Sequence, residues 1–168
     1  MEKEKNIAFI DWQNLHLWTA SDGWKIDFKR FRIYLKDKFK ITEAYIFMWV
    51  TDAKYNSLYK NMQKAWFVIE FRFHHENLIW KKKWNVDVDI VFDIMKRVLD
   101  NQEEDFDKVL LVSWDWDYIK MVKYLIEKNK FKKILFPNKK YSSLYKSIKD
   151  LYWMNLSQER VRNVIKYK

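Results

Sequence analysis

Apolar residues along the chain follow two alternating rhythms. Nearly unbroken apolar runs at 6–11 (NIAFID), 43–50 (EAYIFMWV), 67–73 (FVIEFRF), 108–113 (KVLLVS) and 132–136 (KILF with a leading Lys) have the length and bulk of strands buried on both faces. Between them lie segments whose apolar positions recur every three to four residues. Asp27 is placed to cap a helix over 27–39 that carries Phe28, Phe31 and Leu35 on one face. Tyr55, Leu58, Tyr59 and Met62 mark a helix over 55–65, and Val88, Val91, Phe92, Met95 and Leu99 define one side of a helix over 86–99. Further helices are expected at 117–128, 142–149 and 157–166. Strand and helix in alternation predict an α/β fold, with a mostly parallel sheet covered on both faces in three α/β/α layers. No linker, repeat or low-complexity tract interrupts the pattern, and 168 residues with 49% apolar content suit a single domain spanning 1–168.

Charge adds a partner class. Thirty-three Lys+Arg against 23 Asp+Glu leave a net charge of +10, which favours polyanions through long-range attraction and counterion release. RNA or another nucleic acid is the leading expectation, although an A+T-rich genome also encodes lysine-rich chains. The absence of cysteine excludes disulfides and thiolate metal sites. The stretch MEKEKNIAFID is charged and holds no long apolar segment, so a cytoplasmic chain without a signal peptide or membrane span is expected. No Walker motif and no GxSxG elbow is present, which argues against an ATPase or an acyl hydrolase.

Candidate chemistry lies in acids at strand ends, where open parallel sheets collect their functional residues. Asp11 ends the first strand, Asp115 and Asp117 follow KVLLV, and Asp87, with Asp89 close by, opens the helix at 86. If the first strand and KVLLV are neighbours, these carboxylates converge. Their mutual repulsion then calls for protons or a cation, and oxygen donors without Cys or His select Mg2+ or Mn2+. Each acid could instead serve only as a helix N-cap and dipole partner. Lys81, Lys82 and Lys83 could hold a nucleic-acid backbone, as could Lys139 and Lys140, with a solvated charge run as the alternative. His74 and His75 lack zinc-motif spacing.

Four blocks carry a family resemblance: IAFIDWQNL (8–15 with its flank), KKWNVDVDIVFDIM (82–95), VLLVSWDWDYIKMVKYL (109–125) and LFPNKKYSSLYK (135–146). In this order they resemble an NYN domain of the LabA-like type, within the PIN-like nucleases, over about residues 7–162. The resemblance implies a PIN-like fold and a bacterial, Mg2+- or Mn2+-dependent ribonuclease that hydrolyses RNA, single-stranded by expectation, with a homodimer left open. It assigns metal binding to Asp11, Asp87, Asp115 and Asp117, and gives Asn14 the orientation of a ligand or phosphate. Asp89 and Asp93 are second-tier acids, Asp93 with a structural alternative. Ser113 would hydrogen-bond within the site or touch phosphate, and Lys83 would contact substrate. Two other functions stay open: a non-catalytic RNA-binding or regulatory module of the same fold, and a hydrolase of small phosphates.

The chain departs from the family pattern at glycines. Where the family would read IDGQNL, KGNVD and SGDGD, this chain has Trp12, Trp84, Trp114 and Trp116. Trp18, Trp49, Trp66 and Trp80 read the same way, whereas Trp24 and Trp153 fit as tryptophans. Positive φ or close backbone approach is expected at the replaced positions, with a cleft crowded by indoles and activity impaired. If the tryptophans belong there, some could stack on unpaired bases.

Overall fold

A computed structural model describes residues 4–49, 53–72, 86–100, 105–138 and 143–168. Among them six strands form one sheet: β1 (Asn6–Asp11), β2 (Ile41–Trp49), β3 (Val68–Arg72), β4 (Lys108–Val112), β5 (Phe131–Phe136) and β6 (Trp153–Asn155). Their spatial order is β3-β2-β1-β4-β5-β6, and every neighbouring pair is parallel. The helices are α1 (Trp12–Ser21), α2 (Phe28–Phe39), α3 (Asn56–Lys64), α4 (Val86–Asp100), α5 (Ile119–Glu127) and α6 (Glu159–Ile165).

Side chains alternate across the strands and build one core on each face of the sheet. Ala8 and Ile10 of β1, with Leu110 and Val112 of β4, meet Leu15 of α1, Phe31 and Leu35 of α2, Met62 of α3 and Val161 of α6. Ile7, Phe9, Val109 and Leu111 point the other way, against Ile90 and Ile94 of α4 and Val122 and Leu125 of α5. The result is the expected three-layer α/β/α arrangement. Because β1 and β4 lie side by side at the centre, the chain runs outward from β1 in one direction and returns to lay β4 on its other flank. That reversal is the switch point, and it opens a crevice beyond the carboxyl ends of β1 and β4.

Local chemistry accounts for two of the helix ends in particular. The Asp27 side chain accepts a hydrogen bond from the Arg30 backbone N–H at 3.0 Å, which is the predicted N-cap. At the end of α3 the Trp66 N–H donates to the Gln63 carbonyl at 2.9 Å and the Phe67 N–H to the Met62 carbonyl at 3.2 Å, a Schellman closure.

The structure corrects several expectations. Helix α1 and strand β6 were not anticipated, and 142–149 holds a 3-10 turn at Ser143–Ser147 in place of an α-helix. The face expected for α4 holds only in part: Val91 and Met95 pack, partly buried, against the core. Val88, Phe92 and Leu99 are exposed at 61%, 67% and 69%, whereas Val86, Ile90 and Ile94 face the sheet. This helix carries two apolar stripes, and the one that packs is the stripe with the β-branched residues four apart. Positive φ occurs at Trp66 (+64°) but not at Trp12, Trp114 or Trp116, so left-handed backbone is not what distinguishes those three positions. Trp80 and Trp84, His74 and His75, and Lys81 to Lys83, Lys139 and Lys140 lie outside the described residues.

Candidate metal and phosphate site

Asp11 is the last residue of β1 and at once the N-cap of α1, so its carboxylate is held at the carboxyl edge of the sheet. One carboxylate oxygen accepts from the Asn14 backbone N–H at 3.0 Å, and the other accepts from the Asn14 side-chain amide. The group is only 2% exposed. Burial pushes its pKa up to about 6, the charges of Asp87 and Asp115 push in the same direction, and the bonds from Asn14 oppose the rise. A buried carboxylate with this environment is paired with its own helix start and with the field of its acidic neighbours. Among the described residues it forms no salt bridge.

Across the switch point, the connection from β4 to α5 is built on side-chain to backbone hydrogen bonds. Ser113 Oγ accepts from the Asp115 N–H at 3.1 Å, and Asp115 Oδ1 accepts from the Asp117 N–H at 3.0 Å, which starts the 3-10 turn Trp116–Tyr118. Asp115 is therefore an N-cap as well as a cleft acid, and the two roles anticipated as alternatives coexist. Ser113 is fully enclosed, so its position serves a bond inside the site and not contact with a substrate.

From the opposite layer, the first turn of α4 brings in Asp87. Ligand oxygens of Asp87, Asp115 and Asp117 all lie within 4.8 Å of one another, although they come from segments separated by almost thirty residues of sequence. Asp11 stands outside this trio but within its electrostatic reach. Asp93 points away from the trio and pairs within its own helix, where its carboxylate meets Arg97 Nε at 2.9 Å, and the guanidinium lies 4.2 Å from the Tyr45 ring centroid. That arrangement fits the structural alternative for Asp93. Asp89 lines a shallow pocket with Phe47, Val86 and Phe92 and is not part of the trio. Lys83 lies outside the described residues.

Sequence reasoning missed two tyrosines beneath the acids. The Tyr118 hydroxyl donates to Asp87 Oδ1 at 2.6 Å, and the Tyr145 hydroxyl donates to the Asp115 backbone carbonyl. Both rings are fully buried. Burial raises the pKa of each, with the negative charges of Asp11, Asp87 and Asp115 adding at Tyr118 and those of Asp115, Asp117 and Asp87 at Tyr145. Both hydroxyls therefore stay protonated and act as donors. Tyr118 directly follows Asp117 in WDWDY, a position that marked it for notice, and Tyr145 lies within the LFPNKKYSSLYK block, which marked the segment but not the residue.

Chemically, three carboxylates that converge in a partly open crevice, with no nitrogen or sulfur donor among them, form a hard donor set. Two Mg–O bonds span about 4 Å end to end, so oxygens within 4.8 Å of each other need little inward movement to share one ion. The trio fits a divalent cation of the Mg2+ or Mn2+ kind. An isolated set of three like charges would otherwise be unfavourable.

A sequence model of the NYN domain matches residues 6–154. No curated protein is detectably similar. Among solved structures, a protein of unknown function from Vibrio parahaemolyticus superposes with a TM-score of 0.75 over 94% of this chain and 98% of its own, at 18% identity, which supports the fold alone. No helix among the described residues is long and apolar enough to cross a membrane.

Proposed function

The chain belongs to the NYN domain family, within the PIN-like nuclease superfamily, and from that premise we propose that it is a metal-dependent ribonuclease that hydrolyses RNA phosphodiester bonds. The observation that supports this most is the meeting of Asp87, Asp115 and Asp117 at the sheet's switch point, with Asp11 beside them. Asp87, Asp115 and Asp117 would hold Mg2+ or Mn2+, with Asp11 as a further ligand from β1. A bound ion of this type supplies charge neutralisation for a phosphate and lowers the pKa of water.

The protein's own groups do the positioning. Tyr118 fixes the rotamer of Asp87 through its hydroxyl, and Ser113 and Tyr145 fix the backbone that carries Asp115. Asn14 holds the buried Asp11 beside the trio and is placed to reorient it, or to meet a phosphate oxygen, when that bond is exchanged. The +10 net charge draws a polyanion toward an acidic crevice that would by itself repel it. We take the RNA to be single-stranded, because an unpaired strand can bring one phosphate to a local cluster of three carboxylates.

A second reading, RNA binding without turnover, is favoured by a separate observation. A cavity of about 660 Å³ between α1, α3 and β2 is lined by ring-bearing groups including His16, Phe28 and Tyr55, the kind of wall on which unpaired bases stack. The two readings part in one assay. Incubation of single-stranded RNA with the protein and Mn2+ gives cleavage that Asp115→Asn and Asp11→Asn abolish with folding intact if the domain is a nuclease. RNA bound but left intact by the protein with glycine in place of Trp12, Trp114 and Trp116, unchanged in both variants, assigns it to binding.

A further inference from the structure

Ten tryptophans and one glycine in 168 residues reverse the usual proportions, since glycine at its ordinary share of ~7% would number about a dozen. Four of the described tryptophans show the contrast. Trp24 is 8% exposed within the core, and Trp153 packs its ring 6.1 Å from Phe136. Trp66, by contrast, is 82% exposed and Trp116 is 49% exposed. Burial is the main source of the free energy an indole contributes, and these two forgo much of it.

Trp66 is the sharper case. It occupies the residue just past the C-cap of α3, at φ +64°, inside the Schellman closure that ends the helix. That position is left-handed by construction, and glycine is its usual occupant because a Cβ there meets the backbone. Lys40 and Asn129 adopt the same conformation, but with polar side chains at home in water, and the chain's sole glycine, Gly23, also sits at positive φ, +73°. An exposed indole at such a position has neither a conformational nor a burial advantage.

The remaining anomaly lies at the crevice. Trp12 follows Asp11, Trp114 precedes Asp115, and Trp116 separates Asp115 from Asp117, so every strand-end acid has an indole for a sequence neighbour. Two of these rings find ring partners, Trp12 against His16 at 4.9 Å and Phe28 of α2 at 5.7 Å, partly buried against the core, and Trp114 against Trp18 at 5.0 Å.

We infer that the codons for Trp12, Trp66, Trp114 and Trp116 are UGA, that the source organism reads them as glycine, and that the working chain carries glycine at all four positions. UGA is glycine in some bacterial lineages and tryptophan in a common alternative translation table, so one misassigned codon lowers glycine and raises tryptophan together and accounts for part of both imbalances. Trp24 and Trp153 are then encoded by UGG. For Trp66 the inference is independent of the nuclease assignment; its consequence at the crevice, an opened approach to Asp87, Asp115 and Asp117, rests on that assignment.

The test is to read the six codons in the source nucleotide sequence and to identify residue 66 by tandem mass spectrometry of the protein from its own cells. UGA at 12, 66, 114 and 116 with UGG at 24 and 153, and glycine in the peptide, is expected. UGG at any of the first four, UGA at 24 or 153, or tryptophan at residue 66 in the native peptide overturns the inference. In the tryptophan-bearing chain, Trp66→Gly raises the melting temperature and Trp24→Gly lowers it; failure of Trp66→Gly to do so removes the backbone argument. Neither experiment depends on whether the chain cleaves RNA.

Discussion

Replacing Asp11 by Asn stabilises the metal-free protein at neutral pH and weakens it slightly in acid. The folded pKa of Asp11 is about 6, against 3.8 for the group when solvated. Between those two values the native state binds a proton that the unfolded chain has released, so stability falls as pH rises through the window from about 4 to about 6. Above pH 6 the loss is complete and amounts to about 3 kcal/mol, at roughly 1.36 kcal/mol for each pH unit of difference. Asn does not ionise, so it removes this penalty. Its amide oxygen still accepts from the Asn14 N–H as an N-cap, but the bond from the Asn14 side-chain amide to the second oxygen is lost, at about 1 kcal/mol. The net is a gain of about 2 kcal/mol at pH 7.5 and a loss of about 1 kcal/mol at pH 4. For a chain of this size the gain corresponds to a melting temperature raised by roughly 4 to 8 °C. Thermal melts by circular dichroism in EDTA, from pH 4 to pH 8, measure both proteins. A variant less stable than wild type at pH 7.5, or a difference that does not change sign with pH, refutes the reasoning.

The positioning groups and the frame give further expectations. Tyr118→Phe removes the donor to Asp87 and weakens Mn2+ binding about 10- to 100-fold with little change in fold, which isothermal titration and circular dichroism measure together. Asp27→Ala removes the cap of α2 and costs about 1 kcal/mol in urea denaturation, with no effect on metal affinity. Leu110→Ala leaves a cavity in the central strand, where the side chain is fully buried, and costs about 2 to 5 kcal/mol by the same measurement.

How far the chain announced this arrangement depends on what each element rests on. Strand β1 and the helix capped by Asp27 were legible because burial and local hydrogen bonding reinforce one another there. Helix α1 was not, since in WQNLHLWTAS only Leu15 and Thr19 are buried and no apolar period stands out. Strand β6 has three residues, too few for a pattern, and exists through its pairing with β5. In α4 both Val88-Phe92-Leu99 and Val86-Ile90-Ile94 have helical spacing, and only the presence of β1 and β2 decides which one is buried. The acids were legible for a different reason: each follows a strand or opens a helix, and the parallel topology sends such residues to one edge. Their support was not. Tyr145 reaches Asp115 from thirty residues away, a contact that the fold creates and local sequence does not encode.

Mn2+ titration of the glycine-bearing chain (12, 66, 114 and 116), alone and with Asp87→Asn or Asp115→Asn, tests the convergence of the carboxylates on one cation most directly. The account predicts one saturable site at neutral pH, with affinity reduced at least tenfold by either substitution and reduced again as pH falls below 6. Binding that both substitutions leave intact, or no binding to the unsubstituted carboxylates, contradicts it.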